Sequence, residues 1–103
     1  MVVAEISIVP LGTASPGLSE YIANAVRKLK KSGLRYQLTP MGTIIEGELD
    51  SVIEVCRKMH ESVFESRDVK RVLTTIKIDD RRDKESNMDA KVKSVEEKLS
   101  LEP

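Results

Sequence analysis

An α+β fold of the ferredoxin-like class is the architecture this 103-residue chain predicts. That is a β-α-β-β-α-β order of elements, with an antiparallel four-stranded sheet and an extra C-terminal helix. Two stretches with apolar residues at helical spacing separate runs that alternate apolar and polar side chains. A Pro-Met-Gly break also divides two of those runs closely enough for them to pair as a hairpin.

The elements follow in order. From Val2 to Leu11 the chain is β-branched and apolar, with Ala4, Ile6 and Ile8 on one face of a strand and Val3, Glu5, Ser7, Val9 and Leu11 on the other. Gly12 ends it. Ser15 is expected to cap the next helix, with Pro16 at its first position. Leu18, Tyr21, Ile22, Ala25, Val26 and Leu29 then recur at helical spacing, and Gly33 suits a left-handed C-cap. Leu34, Tyr36 and Leu38 alternate with Arg35, Gln37 and Thr39 as a second strand, and Thr43 to Glu48 forms a third. Asp50 is expected to cap the second helix, whose apolar stripe is read as Val52, Ile53, Cys56, Met59, His60, Val63 and Phe64. Val69 to Asp79 is the fourth strand.

Residues 1–80 are thus expected to form the ferredoxin-like domain. Residues 81–103 form a charged linker and a helix that belongs to the same domain or to an oligomer interface. Met88, Val92, Val95 and Leu99 give that helix a narrow apolar seam, too thin to fold alone. Two helices cover one sheet face. The other mixes Val3, Val9, Leu11 and Leu73 with Glu5, Ser7, Gln37, Thr75 and Lys77, the composition of an oligomer interface or a ligand site.

Composition narrows the function classes. Lys+Arg and Asp+Glu balance at 17 each, which removes long-range attraction to nucleic acid or to an anionic membrane. An aromatic share of 3% leaves few stacking platforms for bases. The N-terminal run lacks the features of a signal peptide, and one cysteine cannot form an internal disulfide, so a cytoplasmic location is expected.

The chain offers little catalytic chemistry. Cys56 and His60 are four apart on one helix face, the spacing of a nucleophile–base pair, but both belong to the apolar stripe and are expected to be structural. No catalytic residue, metal site or cofactor is expected. Asp79, Asp80 and Asp83 alternate with Arg81, Arg82 and Lys84, so their charge is compensated locally. Glu46 is a carboxylate inside a strand, beside Gly47. Either it pairs with Arg35 or Lys77, or it meets a cationic or amine-bearing ligand.

Three segments resemble the small thiamine-binding protein family, the single-domain relatives of the YkoF-like thiamine and hydroxymethylpyrimidine-binding proteins. They are Ala4 to Gly12, the hairpin Pro40 to Gly47, and Ile78 to Arg81. The resemblance spans essentially the whole chain. It implies a ferredoxin-like fold, a homodimer or homotetramer, and a thiamine-like or related pyrimidine ligand. An aminopyrimidine needs paired donors and acceptors and a thiazolium needs a carboxylate, so Glu5, Ser7, Thr39, Thr43 and Glu46 are the expected ligand-binding residues. The expected function is non-catalytic small-molecule binding. The alternative is a regulatory or structural oligomeric module that senses a different small ligand.

Overall fold

The sheet is built outward from the N-terminal strand. The computed structural model describes residues 1–13, 17–85 and 87–102. Strand β1 (Val2–Leu11) lies inside the sheet, between β3 (Gly42–Gly47) and β4 (Arg71–Asp79), and β2 (Arg35–Thr39) completes the order β2-β3-β1-β4, all antiparallel. Strict alternation along β1 buries Val2, Ala4, Ile6 and Ile8 against the helices and leaves the odd-numbered side chains on the open face.

Helices α1 (Ser19–Ser32) and α2 (Leu49–Val63) pack side by side over that buried face. The core joins Ile6 and Ile45 of the sheet to Ala25 and Leu29 of α1 and to Val52, Val55, Cys56, Met59 and Val63 of α2. Burying each large aliphatic side chain contributes roughly 1.5–3 kcal/mol. Gly33 ends α1 at φ 75°, the left-handed cap its position predicts. The expected cap at Ser15 and Pro16 lies outside the described residues.

Three expectations are corrected. The N-cap of α2 is Glu48, not Asp50, which sits in the first turn of the helix. Ile53 and Phe64 are 50% and 42% exposed, because β4 is an edge strand and no described element covers the flank of α2 beyond it. Val55, absent from the predicted stripe, is buried in their stead. Ile76 and Ile78, which share a face with the core residues of β1, are half-exposed along the same edge.

Helix α3 (Met88–Ser100) crosses to the open face of the sheet. Only its first residue, Met88, is buried. Val92, Val95 and Leu99, the predicted seam, stay exposed. No helix among the described residues is long and apolar enough to cross a membrane.

Candidate functional site: a notch at the hairpin end of the sheet

Strand β1 has ten residues and β3 has six, and this mismatch makes the site. Their pairing runs from Val2↔Gly47 to Ile6↔Thr43 and stops there. Residues 7–11 of β1 continue, paired with β4 through Leu11↔Arg71, but among the described residues no strand pairs with them on the β3 side. In the missing strand's place lies a cavity of about 440 Å³, between β1, the hairpin turn and the first half of α1. The volume falls within the range of small-molecule sites.

Ser7, Thr39 and Thr43 line this cavity, with Ile8 and Val9 of β1, Met41 of the turn, Ile22 of α1 and Met59 of α2 behind them. Among the described residues, no lining side chain carries a charge. Thr43 is buried and faces the helix layer, opposite Ile6, because its register fixes its side. The Thr39 hydroxyl is engaged. It donates to the Gly42 carbonyl at 2.7 Å and accepts from the amides of Gly42 at 3.1 Å and Met41 at 3.3 Å, which clasps the turn. Thr39 therefore shapes the cavity wall.

Glu5 sits on the open face beside the cavity mouth. A Cβ built on Gly42 would lie 3.2 Å from its Cγ and 3.0 Å from the Ile6 carbonyl oxygen, so glycine is what lets the turn approach β1 so closely. The Glu5 carboxylate faces Lys77 at 3.5 Å.

Glu46, the fifth expected residue, does not line the cavity. It stands four positions along β3 from Gly42, about 13 Å at strand rise. It is 6% exposed, and its carboxylate accepts from the Met88 backbone amide at 3.0 Å and from Arg35 at 3.3 Å. Arg35 also meets Asp89 at 2.5 Å, and Asp89 is the larger cause of the raised pKa of its guanidinium. Lys91 pairs with Asp79 of β4. The Asn87 side chain caps the Ala90 amide at 2.8 Å. Glu46 thus holds the positive end of α3 on the sheet, the ion-pair alternative for this residue.

The other candidates are structural. Cys56 is buried, and desolvation pushes its thiol up to about 11. His60 Nδ1 lies 2.6 Å from the Thr74 hydroxyl of β4, and its ring meets Phe64 edge-on with centroids 5.6 Å apart. Arg81 and Arg82 are taken by Asp83 and Asp80. Among the described residues no three His, Cys, Asp or Glu side chains converge on a metal-sized site. A second cleft of about 450 Å³ lies between α1 and α2, with Lys28, Lys31 and Lys58 on its rim. Those charges have local partners: Lys28 pairs with Glu65 at 3.0 Å, and Lys31 and Lys58 act electrostatically on Glu65 and Glu54.

Sequence reasoning did not single out Ile8, Ile22, Met41 or Met59 as cavity-lining residues. The usable signal was the length of the first apolar run against the third.

The family model described as thiamine-binding protein matches residues 4–96. A UPF0045 protein of Methanothermobacter thermautotrophicus is 47% identical over 100 residues, covering 96% of this chain and all of the relative. The UPF0045 protein YqgV of Bacillus subtilis is 41% identical, with 96% of this chain and 98% of the relative covered. A crystal structure of the hypothetical protein MJ1052 of Methanocaldococcus jannaschii superposes with a TM-score of 0.84 at 40% identity, covering 93% of this chain and 96% of that one. A Thermotoga maritima structure named a putative thiamine biosynthesis/salvage protein shares the fold, with a TM-score of 0.75 at 23% identity and 91% and 97% coverage.

Proposed function

Because the chain belongs to the thiamine-binding protein family, we propose that it is a non-catalytic binding protein whose notch between β1 and the β2–β3 turn takes thiamine or a related pyrimidine. The observation that carries this reading is the partnerless stretch of β1 beside an uncharged cavity of about 440 Å³. Ring faces would lie against Ile22, Met41 and Met59, with the Ser7 and Thr43 hydroxyls within the wall. The cationic part of a thiamine-like ligand would extend toward Glu5, the nearest carboxylate to the mouth that the glycine contacts identify. The absence of charge among the lining side chains favours a second reading, in which a different uncharged small ligand fills the cavity and the protein acts as a sensor.

Calorimetric titration with thiamine and with its free pyrimidine separates the two. Saturable heat with either supports the first reading, and none at millimolar ligand removes it.

The same proposal includes self-association in the cytoplasm. The exposed stripe Val92, Val95 and Leu99 on α3 and the half-exposed Ile53, Phe64, Ile76 and Ile78 beside the β4 edge are surfaces that copies of the chain would cover, as a homodimer or homotetramer. Apolar contacts of this kind persist at high salt, where surface ion pairs are screened. A monomer mass by light scattering at low micromolar concentration and high salt would end this part of the reading.

A further inference from the structure

Strand β1 shows which of its peptide groups face the notch. Backbone groups of alternate residues along a strand point to opposite neighbours. The Ile6 carbonyl oxygen lies 3.0 Å from where a Cβ on Gly42 would be, so it points toward β3. Residues in phase with Ile6 therefore direct their N–H and C=O away from β4. Pro10 supports this independently. Proline has no N–H and is tolerated inside a strand only where no ladder bond is needed. Pro10 stands opposite Val72, the last pair but one of the β1–β4 register, and it breaks nothing because its nitrogen faces away from β4. Ile8 lies between Ile6 and Pro10 in the same phase. Its pairing with β3 would require a residue beyond Thr43, where the register has already ended. Its side chain is buried and lines the cavity.

We infer that the main-chain N–H and C=O of Ile8 are the groups that read the ligand. The ligand then takes the place of the strand residue that β3 lacks. The class this selects is a flat, uncharged nitrogen heterocycle with a hydrogen-bond acceptor and a donor on one edge: the acceptor takes the Ile8 N–H and the donor gives to the Ile8 C=O. An unpaired peptide group in an apolar wall is costly, so satisfying it contributes to affinity. Because no lining side chain is charged, a charged substituent on the ring would have to stay outside the cavity. This inference rests on the notch being the binding site, and it adds what decides between ligands there.

The probes are 4-aminopyrimidine, which has such an edge, and its N,N-dimethyl derivative, which lacks the donor, with thiamine titrated in parallel. In 15N-labelled wild-type protein the Ile8 amide resonance should shift on addition of 4-aminopyrimidine. The dimethyl derivative should bind about tenfold more weakly, the scale of one net hydrogen bond. Replacing the Ser7–Ile8 amide by an ester removes the Ile8 N–H on the notch side and leaves the Ser7 carbonyl in place as a weaker acceptor toward β4. It should weaken 4-aminopyrimidine about tenfold while leaving the circular-dichroism spectrum that of the folded chain. Binding of both probes with equal affinity, or with the Ile8 resonance unmoved, overturns the inference and leaves the notch reading standing. Thiamine binding without 4-aminopyrimidine binding also overturns the inference alone. Failure of thiamine and both probes to bind overturns both.

Discussion

The two ends of β3 handle polar groups in opposite ways. At one end Glu46 is buried, and its carboxylate is occupied by Arg35 and the first amide of α3. At the other end β3 stops at Gly42, and β1 runs on beside a cavity with no described strand paired to its inner edge. A strand carboxylate attracts attention in a sequence, yet here it closes a structural network. The less conspicuous end, made of hydroxyls, methyls and bare peptide, is the one left open. A buried polar group whose partners are all supplied by its own chain has a structural role, and a site is marked by capacity left over.

The comparison can be broken at the centre of the strand that joins the two ends. Ile45, next to Glu46 near the centre of β3, is fully buried. Ile45→Ala should cost about 2–5 kcal/mol in urea-induced unfolding, with a single transition. Two separate transitions would show that the ends belong to different cooperative units.

The closed interior should also be visible in alkaline stability. The Cys56 thiol is held up to about 11 in the folded chain, against an ordinary value of 9.0. As pH rises, the unfolded chain loses this proton first, so the contribution is intact below about pH 9 and is lost progressively between about 9 and 11. The loss should amount to about 2–3 kcal/mol relative to Cys56→Ala at the same pH. Parallel pH profiles for the two proteins would show that the thiol is not desolvated as its burial requires.

Glu46→Ala tests the occupied end. Removing the carboxylate leaves the Met88 amide without its acceptor and Arg35 with Asp89 alone, and should destabilise the attachment of α3 by about 1–3 kcal/mol, read as faster hydrogen exchange over the first turn of that helix. Affinity for thiamine or its pyrimidine should not change. A tenfold fall in affinity would return Glu46 to the ligand site.

Thr43→Val tests the open end and carries the smallest effect on folding. The substitution keeps the shape and removes a hydroxyl that hydrogen-bonds to no described residue. Unfolding free energy should change by less than about 1 kcal/mol, while ligand affinity falls by about 1 kcal/mol. The reverse result, a stability loss with unchanged affinity, would make Thr43 structural as well.

Features that depend on local periodicity were legible in the chain. The alternation Ala4, Ile6, Ile8 against Val3, Glu5, Ser7 assigned the two faces of β1, because successive side chains in a strand point opposite ways. The helical spacing in α1 and α2 assigned their buried sides apart from Val55 and the flank beyond β4, and Gly33 marked a left-handed cap. Ser7 and Thr43 were legible as polar groups near the hairpin for the same reason. Tertiary structure alone decided the rest. Whether Ile53 and Phe64 are covered depends on β4 being the last strand, which no local pattern encodes. Glu46 and Met88 are 42 positions apart, and only the path of α3 over the sheet brings them within 3.0 Å. The notch arises from two strands of unequal length meeting in one register, so its main feature, the partnerless peptide of Ile8, belongs to the pairing and to no single residue.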